Sequence, residues 1–301
     1  MSLLEPFTFP VSGVHTWLWL PPLVAFCVSA VTSTAGITGA FLLLPFQISV
    51  LGFASPAVSA TNLVYNIVST PGGIFRFLRE RRLLWPLAGV VVLGTLPGVV
   101  IGGLVRLHWL PDPARFRVFV GCVMLYIGAR LLLGLRRKGA AGRPAGGNGD
   151  FNVELLSVSW PALSYRFQEE EYHCGFRSLF LLSFVVGIVG SIYGIGGGAI
   201  IAPFLVSFYR LPVHTVAGAT LVGTLASSVA GVLFYALAAP FHPDLVITPD
   251  WLLGALFGLG GLAGTYLGAR MQRRIPAFRL KLLLGLIVFA VALKYLAGAF
   301  G

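Results

Sequence analysis

The chain has 301 residues, is 57% hydrophobic and only 10% charged, and has a mean hydropathy of +0.89, which leaves far too little charge for a water-soluble domain of this length. Its formal charge of +11 resides in short basic clusters between apolar runs, a pattern that excludes a continuous nucleic-acid-binding face and fits cytoplasmic loops under the positive-inside rule. Runs such as Leu87–Leu93 are continuously apolar where barrel strands would alternate, so the spans are read as helices.

The N-terminus, Met1 to Gly13, contains Glu5 and no basic residue, which argues against a cleaved signal peptide. A hairpin over 15–52 follows, interrupted by Gly36-Ile-Thr-Gly-Ala40, and is expected to form two short or broken helices. Full crossings are expected at 57–77, 84–104 and 114–135. The long polar stretch from Arg136 to Arg177, with Gly, Pro, mixed charge and Glu169-Glu-Glu171, reads as a linker, with Trp160 to Tyr165 placed at the membrane interface. A second hairpin at 178–209, broken at Gly194-Ile-Gly-Gly-Gly198, precedes crossings at 213–239, 251–269 and 282–300. Cys27, Cys122 and Cys174 are scattered and read as packing residues, with no disulfide framework or metal site.

The second half repeats the first. Pro45 aligns with Pro203, an offset of 158 residues that also matches Gly36 with Gly194, Ser33 with Ser191, Ser69 with Ser227 and Gly73 with Gly231. At a slightly larger offset, Gly98 and Gly102 align with Gly264 and Gly268. Arg76, Arg79, Arg81 and Arg82 make one basic loop and Arg270 to Lys281 another, whereas the loop from Phe241 to Asp250 carries only acids. The same repeat position is therefore basic in one half and acidic in the other, as expected for halves inserted upside down. Arg115 and Arg117 fit this topology poorly. The expected fold is an all-α integral membrane protein of two inverted-topology repeats, each a Gly-broken helical hairpin plus three transmembrane helices. Its divisions are a first repeat at 1–135, a cytoplasmic linker at 136–177 and a second repeat at 178–301.

The candidate site lies at the breaks. Each glycine costs about 1 kcal/mol relative to alanine inside a helix, so the backbone is expected to unwind at Gly194, Gly196, Gly197 and Gly198, beside Tyr193. Unwound backbone at membrane depth needs protein or a watery cavity around it. The restarting helix would aim free amides and its positive end into that cavity, which suits a small anion. Gly36, Thr38 and Gly39 are the weaker counterpart. Asn62 and Asn66, with Ser69 and Thr70, share one helical face, as do Thr220 and Thr224 with Ser227 and Ser228. These polar stripes serve either ligand contact or interhelical hydrogen bonding. Gly102, Gly264 and Gly268 read instead as close-packing positions. Gly197→Leu is expected to block transport while leaving the protein folded.

No acid lies deep in a predicted span, so no carboxylate ion-coupling site is visible, and Lys294 can snorkel. His15, His108, His173, His214 and His242 fall near ends or loops, without the acid or serine partners that an intramembrane enzyme would need.

The two Gly-rich-then-Pro segments, Gly36 to Pro45 and Gly194 to Pro203, within two related halves, resemble the TauE/SafE family of sulfite exporter-like permeases. The resemblance spans nearly the whole chain outside the linker. It implies an inner-membrane secondary transporter exporting sulfite or a small organosulfonate by alternating access, without cofactor, metal or nucleic acid. An uncoupled anion channel, an intramembrane enzyme and a membrane scaffold stay open as alternatives. The partners implied are the bilayer, a small anionic substrate and, as an open option, a second copy of the chain.

Overall fold

The computed structural model describes residues 5–34, 38–80, 83–136, 153–159, 162–167, 170–209, 211–271 and 277–300. It is mostly helical. A short hairpin of β1 (Pro6–Thr8) and β2 (His15–Trp17) leads into α1 (Leu20–Thr34), α2 (Ala40–Ser49), α3 (Ala57–Arg79), α4 (Trp85–His108) and α5 (Pro113–Arg136). An antiparallel sheet of β3 (Val153–Ser159), β4 (Ala162–Phe167) and β5 (Glu170–Gly175) follows. The chain continues with α6 (Phe176–Tyr193), α7 (Gly197–Ser207), α8 (Val213–Ala238), α9 (Trp251–Met271) and α10 (Ala277–Phe300).

Among the described residues, five helices, within α4, α5, α6, α8 and α9, are long and apolar enough to cross a membrane. Their outer faces carry large exposed hydrophobics such as Leu93, Ile101, Leu181, Leu237 and Leu259, and only hydrocarbon makes such a surface stable. Exposed Trp85 and Trp109 bracket α4 and Trp251 opens α9, the helix-end positions at which tryptophan is enriched in membrane spans. The protein is thus a multi-pass membrane protein.

Several expectations are modified. The first helix of the second hairpin, α6, has the length of a full span at 18 residues. The region expected to cross at 57–77 forms α3, which is not among the five; its buried Ser59, Thr61, Asn62, Asn66, Ser69 and Thr70 lower its hydropathy because it faces protein. Part of the linker is a sheet, in which Tyr165 is buried and shares a hydrogen bond of 3.0 Å with Thr215 at the start of α8. Of the segment 160–165 expected at the membrane interface, Trp160 and Pro161 lie outside the described residues, and Ala162 to Tyr165 belong to β4. Cys174 is buried, but Cys27 and Cys122 are exposed on α1 and α5, where a small thiol faces hydrocarbon at little cost instead of filling a core.

Two glycine seams hold the bundle. On α4, a side chain at Gly94, Gly98 or Gly102 would strike the carbonyls of Phe180, Phe184 or Ile188 on α6. On α9, one at Gly260, Gly264 or Gly268 would strike those of Pro22, Phe26 or Ala30 on α1. Close backbone approach of this kind is how helices associate without a hydrophobic driving force. It confirms the packing role expected for Gly102, Gly264 and Gly268.

Candidate functional site

The second break is built by two glycines in backbone regions that other residues avoid. Helix α6 ends on Gly194 at φ 84°, ψ 22°, and the amides of Gly194 and Ile195 both donate to the Gly190 carbonyl, at 2.9 and 3.0 Å. That is a left-handed helix stop of the Schellman type. Gly196, at φ 72° and ψ 143°, then turns the chain so that α7 restarts at Gly197. The break is buried throughout. In the first half, Thr38 and Gly39 precede α2, and Gly39 has ordinary helical angles of φ −62° and ψ −24°. Gly36 lies outside the described residues.

The two breaks meet. Asn62 on α3 donates from Nδ2 to the carbonyls of Ala40 and of Gly194, each at 3.0 Å, while its Oδ1 accepts from Gln47 Nε2 at 3.2 Å. One turn on, Asn66 Nδ2 donates to the Ile195 carbonyl at 3.0 Å. Tyr193 closes the join from the other side. Proline at position 45 has no N–H for the carbonyl four residues back, and that carbonyl, Phe41 O, accepts the Tyr193 hydroxyl at 3.0 Å while the two rings stack at 5.7 Å.

Around the start of α7 stands the hydroxyl stripe of α8. Ser227 Oγ accepts the Gly197 amide at 3.0 Å and returns its proton to the Gly223 carbonyl at 2.7 Å. Thr220 and Thr224 donate to their own helix, to Ala217 O at 3.1 Å and Thr220 O at 2.9 Å, and wall the site against Gly198. A side-chain carbon at Gly198 would land on the Thr220 carbonyl and the Thr224 amide, and one at Gly197 would lie 2.6 Å from Thr95 Cγ2 of α4.

The space beside the break is therefore filled by α3, α4 and α8, where an open watery cavity was expected. A groove of about 480 Å³ exists elsewhere, on the apolar surface between α3 and α9, and touches none of the candidate residues. Within the packed site several buried polar atoms lack partners among the described residues: Thr38 Oγ1, Gln47 Oε1, Asn66 Oδ1 and Ser228 Oγ. Ser228 Oγ lies 2.9 Å from where a side-chain carbon at Gly196 would stand. A hydroxyl held without a partner beside a helix N-terminus is a donor available to an anion.

Sequence reasoning missed Gln47, Thr95 and, above all, Arg106. Arg106 is wholly buried on α4 and donates from Nε to Ser59 Oγ at 3.3 Å. The only signal was a lone arginine at the end of α4 opposite the basic loop.

The family model described as "Sulfite exporter TauE/SafE" matches residues 22–295. The chain belongs to this family. Among its relatives, a "Probable membrane transporter protein" of Xylella fastidiosa is 26% identical over 259 residues, 85% of each chain. The "Probable membrane transporter protein YunE" of Bacillus subtilis is 22% identical over 232 residues, 75% of this chain and 77% of its own. No solved structure matches. The family covers α1 through most of α10, so the breaks, the stripes and Arg106 all fall inside it.

Proposed function

We propose that this protein is a secondary transporter that exports a small sulfur-containing anion, sulfite or an organosulfonate, across the inner membrane by alternating access. The observation that carries this reading is the convergence of both helix breaks on Asn62, with the start of α7 and unpartnered hydroxyls beside it. Ala40 begins α2 and Gly194 ends α6, so one side chain senses both hairpins at once. Any rearrangement that opens one break must loosen its hold on the other.

Two inverted repeats account for the glycine seams. Shifted by the repeat offsets, the Gly94–Phe180, Gly98–Phe184 and Gly102–Ile188 contacts become Gly260–Pro22, Gly264–Phe26 and Gly268–Ala30. Each half thus lends its first helix to the other, a reciprocity that a two-fold relation supplies. With basic loops inside, the central linker is cytoplasmic and the loop from 241 to 250 faces outward. The filled site is then an occluded conformation, and transport requires α7 and α2 to withdraw from α3 and α8.

The transporter names of the family and its relatives fit a non-enzyme. The test is sulfite efflux from proteoliposomes of the purified protein, with isethionate and chloride as competitors. Efflux above empty vesicles, inhibited by isethionate and not by chloride, is the expected result. No flux of either sulfur anion would sink the proposal, and flux indifferent to an imposed proton gradient would favour an uncoupled channel. Gly197→Leu is a poorer probe than the sequence suggested, because a side chain there collides with Thr95 and with the backbone of Gly187.

A further inference from the structure

Arg106 lies in the last turn of α4 with no exposed surface. A guanidinium is always charged and offers five N–H donors. Here Nε donates to Ser59 Oγ, Nη1 donates to the Leu110 carbonyl, and the group's central carbon lies 3.7 Å from the centroid of the Phe116 ring. Nη2 has no partner. Nor does the hydroxyl of Tyr235, equally buried on α8 in one cluster with Leu107, the residue that follows Arg106. Among the described residues Arg106 forms no ion pair; those present join Arg76 to Glu80 and Arg166 to Glu171.

A buried cation surrounded by a hydroxyl, a carbonyl and an aromatic face still carries its full charge, and charge in such a place is costly unless an anion accompanies it. The carbonyl end of α4 offsets only part of that cost. The group is also wired to the break: Ser59 Oγ, which accepts from Arg106, donates to the Ile192 carbonyl at 3.1 Å, and the Ser59 backbone packs against Gly194.

We propose that Arg106 Nη2 and Tyr235 Oη form a second oxyanion subsite, placed where α4 and α8 end and linked to the break through Ser59. The inference rests on the transport reading and deepens it. In the orientation given above these helix ends face outward, so the subsite is the substrate's last station before release. A sulfite or sulfonate group presents three oxygens. The free guanidinium nitrogen and the phenol can each donate to one of them, in a geometry that chloride, with no separate acceptor atoms, cannot exploit.

Tyr235→Phe is the decisive variant, because the hydroxyl it removes bonds to nothing among the described residues. A purely structural role for the pair leaves this variant as stable as the wild type and unchanged towards anions. The subsite predicts unchanged folding with sulfite binding weakened about tenfold, read as loss of sulfite-induced thermal stabilisation and a raised KM for sulfite efflux. Arg106→Lys should keep part of the affinity, and Arg106→Gln should lose it. If wild-type protein moves sulfite and both Tyr235→Phe and Arg106→Lys match it in KM and stabilisation, the subsite is overturned and transport stands. If wild-type protein neither binds nor moves sulfite or isethionate, both readings fall together.

Discussion

The two helix breaks occupy equivalent places in the sequence yet differ in construction. At the second, Gly194 and Gly196 take positive φ and Gly197 and Gly198 bring the backbone against α4 and α8, so peptide groups make the contacts. At the first, Thr38, Ala40 and Phe41 stand where Gly196, Gly198 and Ala199 stand in the second, and Gly39 is helical. One break is lined by amides and hydroxyls; the other is filled with side chains that brace it. The difference teaches that a duplicated motif need not mean duplicated work. The second break turns backbone and hydroxyl groups towards its neighbours, and the first is packed with side chains.

The sharpest way to break this comparison is at the matched pair Gly198 and Ala40. Gly198→Ala drives a methyl group into the Thr220 carbonyl and Thr224 amide, backbone atoms that cannot step aside. Overpacking of this kind costs about 1–3 kcal/mol, so a clear fall in Tm and loss of sulfite efflux are expected. Ala40→Gly, which makes the first break resemble the second, should cost about 1 kcal/mol of helix propensity and retain most transport. Thermal unfolding in detergent beside vesicle efflux checks both; a Gly198→Ala protein with wild-type Tm and flux would remove the structural basis of the contrast.

The next pair is Asn62 and its counterpart Thr220. Asn62→Ala strips donors from two buried carbonyls, one at each break, and each orphaned group costs about 1–3 kcal/mol. Thr220→Ala removes a buried methyl and a hydroxyl that bonds only to its own helix, and should cost about 1 kcal/mol, less than Asn62→Ala. Equal Tm losses in the two variants would show that α3 and α8 hold the breaks alike.

Much of this architecture is legible along the chain because membrane spans announce themselves by length. The boundaries of α4, α5, α8 and α9 follow from apolar runs between basic or proline-rich loops, and the breaks from glycines that no helix interior tolerates cheaply. The inward turn of the stripes on α3 and α8 is equally legible, since hydrocarbon leaves hydroxyls and amides nowhere else to go. What escapes is whatever depends on distant partners. That Asn62 reaches Ala40 and Gly194 together, or that Pro45 frees a carbonyl for Tyr193, becomes visible only once both halves are packed. The strands of the linker carry too weak a local pattern to stand out beside its glycines and charges. Arg106 hid because one arginine at a helix end ordinarily reads as a loop charge.

The finest distinction is between Ser228 and its counterpart Thr70. Thr70 Oγ1 donates to the Asn66 carbonyl at 2.7 Å, a bond within its own helix that keeps the hydroxyl occupied. Ser228 Oγ, wholly buried beside Gly196, has no partner among the described residues. Removing an unpaired buried hydroxyl should leave stability unchanged or slightly higher, since no hydrogen bond is lost and a desolvated dipole disappears. Ser228→Ala is therefore expected to fold at least as well as the wild type. If the second break binds the anion, the variant should still weaken sulfite about tenfold, the worth of one hydrogen bond to a charged acceptor. Thr70→Val should leave sulfite affinity where it was. Unaltered sulfite KM in Ser228→Ala would mean that the amide-lined break is a packing element like the one it duplicates.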